Sequence, residues 1–199
     1  MLNDHPAMRG KAATITPMQW RQMRAVTVSM ARNSEQSPER IEISALASRD
    51  FLAFGQVIDP DPDIPGEDIG TGLFWERVIP LDPREAQVGI IRYHPRNPVI
   101  EKMERHPHGG QTFVSLSRGR SLLVVAPDAG DRPDMDNLSP FSIPPGGGFR
   151  LEAGTWHASP FPPPDRPSRF LMLMRPGTLD AGTEWFALEC PRILRAATI

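Results

Sequence analysis

Short apolar runs separated by turn residues dominate the chain from residue 72 onward. The runs recur at intervals of roughly 8–12 residues, and Gly, Pro and Asp fill the gaps between them. This spacing is typical of a β-sandwich or β-barrel, in which each short strand crosses the core once before the chain turns. The predicted strands cover residues 72–79, 87–93, 99–104, 111–116, 121–126, 141–143, 148–152, 169–174 and 184–188.

Two short elements and a turn segment precede these strands. Residues 41–43 begin a strand, and residues 48–55 predict a short helix. Ser48 is a favoured N-cap residue for that helix, and Gly55 is suited to the left-handed position that follows a helix end. Residues 59–68 are rich in Asp and Pro and predict turns. The pattern therefore favours an all-β fold, an antiparallel β-barrel with few short helices.

Composition strengthens this prediction and excludes several classes of protein. The 199-residue chain contains 23 prolines and 16 glycines, and proline disrupts helix interiors. Its longest apolar runs, residues 122–126 and 170–174, are far shorter than the roughly 20 residues that span a membrane. A net charge of −2 provides no basic field for nucleic acid. The single cysteine, Cys190, excludes an internal disulfide, which favours a cytoplasmic protein.

The first forty residues differ in charge from the remainder. Residues 1–40 carry six Lys or Arg against three Asp or Glu, whereas residues 41–199 carry sixteen against twenty-one. Within the first segment, residues 17–32 have apolar positions at helical spacing. We predict that residues 1–40 are an N-terminal extension, flexible or partly helical, and that residues 41–199 form one domain. A basic amphipathic helix that contacts a membrane or a partner is the alternative for the extension.

Candidate chemistry is concentrated in two histidine-containing segments at strand ends. The first is Glu104-Arg-His106-Pro-His108-Gly-Gly-Gln111, and the second is Gly154-Thr-Trp-His157. Because side chains alternate along an extended strand, Glu104 and His106 share one face and the arginine between them points to the other.

These segments resemble the paired motifs of the cupin superfamily, in which facing strands of a small barrel bring His and Glu side chains together. Residues 154–157 match the second motif. The first motif can be aligned with the sequence in two registers. In the favoured register, Glu104, His106 and Gln111 occupy the motif positions, and each has a side chain that can coordinate a metal or form a hydrogen bond. That register predicts that His108 lies in a turn, outside the site.

Longer stretches are similar to the ureidoglycolate lyase family, formerly named ureidoglycolate hydrolase. The likeness is carried by residues 41–59, 88–107, 104–113 and 121–135 and covers about residues 41–178. Membership would imply a cupin-type, jelly-roll-like β-barrel, a homodimer and a small carboxylate substrate. It would also imply the cleavage of ureidoglycolate to glyoxylate and urea in the breakdown of allantoin and purines.

The resemblance also implies roles for individual residues. The reaction needs a base and an acid whose pKa values lie near neutrality, and His106 and His157 are the candidates for proton transfer. Glu104 would orient them, and Gln111 would hold a carbonyl or hydroxyl group. The substrate carboxylate needs a cation. The residues predicted to bind substrate are Arg92, Arg105, Arg175, Glu152 and Trp156.

Two departures from the family pattern leave alternatives open. Glu152 stands where the family carries a histidine, and Met174 stands where it carries an aspartate. A carboxylate in place of an imidazole favours harder cations. One alternative is therefore a metal-dependent cupin, an isomerase or oxygenase acting on another carboxylate, and a second is a module that binds a small acid without turnover. The candidate ligands for a divalent metal ion are Glu104, His106, Gln111 and His157.

Overall fold

The computed structural model describes residues 43–46, 48–60, 63–76, 78–85, 87–178 and 182–194. Strands dominate this part of the chain, and the helix at residues 48–51 is a single turn. In chain order the elements are β1 (Ser44–Ala45), α1 (Ser48–Phe51), β2 (Gly55–Val57), β3 (Glu67–Asp68), β4 (Leu73–Phe74), β5 (Gln87–Tyr93), β6 (Val99–Arg105), β7 (Gln111–Ser115), β8 (Ser121–Ala126), β9 (Ser139–Ile143), β10 (Gly148–Leu151), β11 (Trp156–Phe161), β12 (Ser168–Met174) and β13 (Glu184–Ile193).

Two sheets contain nearly all of these strands. The six-stranded sheet has the order β1-β9-β8-β11-β6-β13, and the five-stranded sheet has the order β2-β10-β7-β12-β5. Neighbouring strands are antiparallel except for β1, which pairs with β9 in parallel. Strands β3 and β4 form a separate hairpin. The prediction of an all-β fold with few helices is confirmed.

Apolar side chains from both sheets meet in one core. Phe113 of β7 stacks on Phe149 of β10 with ring centroids 5.0 Å apart, and Phe170 of β12 meets Phe113 edge-on at 6.2 Å. From the other sheet, Leu123 of β8 and Ile143 of β9 join the same buried cluster. The two sheets therefore pack face to face, which is the jelly-roll arrangement expected from the sequence.

A second cluster covers the outer face of the six-stranded sheet. Leu122 and Val124 alternate with the inward residues of β8 and pack with Trp156, Met103 and Ile100. Both faces of β8 are consequently buried. This explains why its sequence is a continuous apolar run instead of an alternating one.

Gly55 does not have the conformation that the sequence predicted. Helix α1 ends at Phe51, where a turn is closed by the Phe54 N–H donating to the Phe51 carbonyl oxygen at 2.9 Å. Gly55 is the first residue of β2, and its φ is not positive. A Cβ atom there would lie 1.8 Å from the carbonyl oxygen of Arg150. Close contact between β2 and β10 is thus what requires glycine at this position.

The strand prediction was wrong in two regions. Residues 72–79 contribute only the two-residue β4, whose Leu73 and Phe74 are exposed, so this apolar run does not enter the core. Its partner β3 lies in the segment predicted as turns. Strand β11 was missed because it contains Pro160 and no β-branched residue; a register shift between Ala158 and Phe161 accommodates the proline.

Within the described residues, no helix is long and apolar enough to cross a membrane. The predictions for residues 1–40, and for the first two residues of the strand expected at 41–43, lie outside the described residues.

Candidate active site

Strand pairing brings the two histidine-containing segments together. In the β6–β11 pair, His157 lies directly opposite Glu104, and His106 follows the end of β6 on the same face as Glu104. The imidazole rings of His106 and His157 have centroids 5.4 Å apart. One ligand atom from each of the three side chains lies within 4.8 Å of the other two. Both histidines are buried.

Hydrogen bonds fix the tautomer of each imidazole. Nδ1 of His157 lies 2.9 Å from the carbonyl oxygen of Thr155, which can only accept, so Nδ1 carries the proton. The Thr183 hydroxyl donates to the Thr178 carbonyl oxygen at 3.0 Å and therefore accepts from Nδ1 of His106 at 3.1 Å. The Nε2 atom of each ring is left with a free lone pair. Among the described residues, the buried Nε2 of His106 has no hydrogen-bond partner.

Burial determines the charge state of the three groups. It lowers the pKa of His157 to about 4 and that of His106 to about 4, the latter with a smaller contribution from the neighbouring His157. Burial also raises the pKa of Glu104 above its ordinary value. The near-neutral histidine pKa values expected from the sequence are therefore not what the structure has. At neutral pH both imidazoles are therefore uncharged, and burial shifts the equilibrium of the Glu104 carboxyl toward its protonated form.

The same three residues fit a divalent transition-metal ion. Two neutral imidazole Nε2 atoms and one carboxylate oxygen are a ligand set typical of such ions. Histidines that bind metals donate Nδ1–H to a second group, as His106 and His157 do here. Gln111, the fourth candidate ligand, lies on the inward face of β7, and its buried Oε1 has no hydrogen-bond partner in the described part of the chain. Its Nε2 lies 4.0 Å from the Met174 sulfur.

A cavity of about 510 Å³ gives access to His106. Arg175 lines it and donates from Nη1 to the His108 carbonyl oxygen at 2.5 Å. Arg84 lines it as well and forms hydrogen bonds to the Asp82 carboxylate, which hold the Asp82 pKa down at about 2. Two guanidinium groups thus accompany a neutral imidazole, an arrangement suited to a small carboxylate. His108 lies in a turn, as predicted, yet it lines the opening of this cavity.

A smaller cavity lies on the other side of the cluster. It has a volume of about 140 Å³ and is lined by Glu104 and His157 together with Lys102 and Arg96. Strands β6 and β11 pair only at the Glu104–His157 position, and the space opens beyond it. There the Ser159 hydroxyl donates to Glu104 Oε1 at 3.1 Å, which orients the carboxylate.

A buried ion pair supports the turn that follows His106. The Arg150 guanidinium binds Glu85 through two hydrogen bonds, one of them from Nη2 to Oε1 at 2.9 Å, and both side chains are buried. Glu85 Oε1 also accepts from the Gly110 N–H at 3.1 Å. A Cβ on Gly110 would lie 2.6 Å from Arg150 Nη2. The pair therefore joins the segment that carries Arg84 to the turn after His106.

Arg105 and Trp156, predicted to bind substrate, lie on the outer face of the six-stranded sheet. Arg105 forms ion pairs with Glu184 at 2.6 Å and Asp128 at 3.0 Å, and its guanidinium carbon lies 4.6 Å from the Trp156 ring centre. Trp156 donates from its indole nitrogen to Asp128 at 3.1 Å. Alternation along β6 and β11 directs both side chains away from the histidines.

Arg92 and Glu152 also lie away from the cavity that contains His106. Tyr93 packs edge-on against Phe170 in the core, so the preceding Arg92 projects from the opposite face of β5. Glu152 is exposed in the turn after β10, 3.9 Å from Arg150 Nε. Of the predicted carboxylate-binding arginines, Arg175 alone lines the cavity with His106.

Sequence reasoning missed Arg84, Thr183 and the Glu85–Arg150 pair. Thr183 lies 77 positions from His106, and no spacing rule connects them. The Gly109–Gly110 dipeptide was an available signal for the ion pair, because adjacent glycines mark places where other groups approach the backbone.

The chain is similar to known proteins in sequence and, more weakly, in structure. A model of the ureidoglycolate lyase family matches residues 38–189. The ureidoglycolate lyase of Rhizobium leguminosarum bv. trifolii (strain WSM2304) is 32% identical over 167 residues, covering 79% of this chain and 97% of that protein. The ureidoglycolate lyase of Agrobacterium fabrum (strain C58) is 33% identical over 155 residues, covering 73% and 90%. Among solved structures, oxalate decarboxylase from Bacillus subtilis aligns with a TM-score of 0.36 and 16% identity, covering 51% of this chain and 23% of that one.

Proposed function

The chain belongs to the ureidoglycolate lyase family, and we propose that it is an enzyme that cleaves ureidoglycolate to glyoxylate and urea. The names of its relatives support the substrate. The observation that supports the chemistry is the buried cluster of Glu104, His106 and His157 beside a cavity that contains two arginines.

The reaction moves one proton and breaks one bond. Ureidoglycolate carries a hydroxyl group and a ureido nitrogen on the same carbon, next to its carboxylate. When the hydroxyl proton is removed, the oxygen electrons form the carbonyl group of glyoxylate and the C–N bond breaks. The departing nitrogen takes up a proton and leaves as urea. A base near the hydroxyl group and a proton source near the nitrogen are therefore required.

The side chains of the cluster suit these two tasks. His106 presents a buried, neutral Nε2 lone pair, which can accept the hydroxyl proton. Glu104, whose pKa is raised by burial, can hold the proton that the departing nitrogen needs. His157 would assist as a second neutral base, Gln111 would hold the ureido carbonyl, and Arg175 with Arg84 would bind the carboxylate.

In a metal-dependent form of the site, Glu104, His106 and His157 would hold a divalent ion through these same Nε2 lone pairs and the carboxylate. The ion, in place of a protein base, would polarise the substrate hydroxyl group as a Lewis acid. In either form, the hydrogen bonds from Nδ1 of each histidine keep the Nε2 lone pairs directed into the site.

We further propose that two copies of the chain form a homodimer in the cytoplasm. The outer face of the five-stranded sheet exposes Val88 by 62% and Ile90 by 61% on the edge strand β5. Leu171 and Leu173 lie beside them on β12 and are only half-buried. A contiguous apolar sheet face of this kind is characteristic of an interface, and a second copy offers the same face in return. The single cysteine, Cys190, has a free thiol, and a free thiol is typical of proteins in the reducing cytoplasm.

A direct assay tests the proposed reaction. The purified full chain is incubated with ureidoglycolate, and the release of glyoxylate is followed. We expect turnover by the natural chain and a fall in kcat/KM of about 10²–10⁴-fold in His106→Gln, because that change removes the base. His94→Gln is the matched control, since His94 is exposed and outside both cavities. Absence of turnover by the natural chain would refute the substrate assignment.

A further inference from the structure

Another cavity, of about 450 Å³, lies at the opposite end of the five-stranded sheet from the cavity with His106. Strand β12 begins beside it at Ser168 and ends at Met174 next to Arg175, a length of about 20 Å. Its lining includes four arginine side chains, those of Arg92, Arg118, Arg166 and Arg169.

Within the residues that the structure describes, most of this positive charge is not balanced by acidic groups. Arg166 pairs with Asp165 at 2.6 Å. In the part of the chain that the structure describes, Arg92, Arg118 and Arg169 form no ion pair. Arg92 and Arg169 are moreover direct partners in the β5–β12 pairing, so both project from the same face of the sheet. Like charges at such positions destabilise a sheet.

The backbone around the cavity is tightly connected. The Ser117 hydroxyl accepts a hydrogen bond from the Arg169 N–H at 2.7 Å and donates to the Arg169 carbonyl oxygen at 3.3 Å. The Leu116 N–H donates to the same carbonyl oxygen at 2.9 Å. A Cβ on Gly119 would lie 3.3 Å from Pro163 Cγ, which shows how closely the two turns approach. The arginines are thus carried by segments held in fixed positions relative to each other.

We propose that this cavity binds a small anion that carries a di- or triphosphate group. Guanidinium groups bind phosphate oxygens through paired hydrogen bonds. The three positive charges that lack an acidic partner among the described residues would be balanced by a compact ligand with several negative charges. A single carboxylate group carries only one negative charge. Nucleic acid fits less well, because the net charge of −2 provides no extended basic surface beyond the cavity. The ligand would occupy a place separate from the cavity of the reaction.

Binding is tested on the full chain with inorganic tripolyphosphate and with ATP, both without Mg²⁺, by calorimetry and thermal unfolding. We expect both probes to bind and to raise the Tm. In Arg92→Gln/Arg169→Gln the Kd should rise at least about tenfold, because two charge-assisted contacts are lost. Without probe, the Tm of this variant should equal or exceed that of the natural chain, since the like-charge pair is gone. Arg132→Gln, an exposed arginine in another loop, is the control.

The outcomes separate the sources of the phosphate group. Tighter binding of ATP than of tripolyphosphate would assign a nucleotide, and equal binding would assign the phosphate chain alone; both support the proposal. Failure of both probes to bind at millimolar concentration would overturn it. An unchanged Kd in the double arginine variant would do the same, as would tighter binding of a single-stranded oligonucleotide than of either probe.

Discussion

At the scale of single residues, the site depends on where each histidine proton is held. His157 is fixed by the backbone carbonyl of Thr155, two residues away, so its tautomer is set locally. His106 depends on the Thr183 hydroxyl, which comes from a distant segment and is itself oriented by the Thr178 carbonyl. Such outer partners set ligand orientation and basicity and are costly to remove. Thr183 is therefore a positioning residue for His106.

Replacing Thr183 tests this dependence. Thr183→Val removes the acceptor for the Nδ1 proton of His106, and we expect kcat/KM for glyoxylate release to fall about 10–100-fold. Thr183→Ser retains the hydroxyl and should restore most of the activity. Equal activity of the valine and serine variants would show that the hydroxyl does not orient His106.

Some of these residues were predictable and others were not. The alternation of side chains along β6 placed Glu104 with His106 and separated both from Arg105, and the structure has this arrangement. The histidine pKa values were not predictable, because they follow from burial in the assembled barrel. The hydrogen bond from His106 to Thr183 could not be predicted either, because a contact between segments that are distant in sequence produces no pattern in local residue spacing.

At the scale of elements, the turn after His106 is attached to the rest of the fold by the Glu85–Arg150 pair. Arg150 belongs to β10, whereas Glu85 lies on the segment before β5 that also carries Arg84. Glu85 accepts from Gly110 as well, so three segments meet at one carboxylate. Both charges are buried and each is satisfied by the other, which makes the loss of one partner costly.

Removing the charge of Glu85 should destabilise the protein. Among the described residues, Glu85→Gln leaves the buried Arg150 guanidinium with only the exposed Glu152 carboxylate, 3.9 Å away, as a counter-charge. We expect the free energy of unfolding in urea to fall by about 3 kcal/mol. Asp165→Asn breaks an exposed pair and should leave the midpoint almost unchanged. Replacing both members of the buried pair, as in Glu85→Leu/Arg150→Met, should cost less than Glu85→Gln alone. A loss below about 1 kcal/mol in Glu85→Gln would contradict this role.

Strands with apolar alternation or continuous apolar runs were predicted well. Strand β5 has the predicted bounds, and β12 differs from its prediction by one residue. Strand β13 extends to Ile193 instead of residue 188, since it lies at the sheet edge and a register shift after Ala187 accommodates Pro191. Proline at an edge or a bulge does not end a strand, and a sequence alone does not show which strands lie at edges.

At the scale of the whole molecule, the proposed homodimer uses the face of the sheet that the monomer leaves uncovered. We expect Val88→Asp/Ile90→Asp to shift the mass measured by light scattering from dimer to monomer, because two buried charges would oppose association. Val57→Ala, a change at a partly buried position of the same sheet that packs against the core, is a control for altered folding. A natural chain that is monomeric at micromolar concentration would refute the dimer.

The part of the chain that the structure describes, within residues 43–194, contains the buried core and the cluster of Glu104, His106 and His157. The family match begins at residue 38, and 79% of this chain spans 97% of a relative 32% identical to it. We therefore expect a chain that begins at Ile41 to keep its Tm within a few degrees and its kcat/KM within about threefold of the full chain, measured side by side. A truncated chain that unfolds, or that loses glyoxylate release while remaining folded, would show that residues 1–40 belong to the working enzyme.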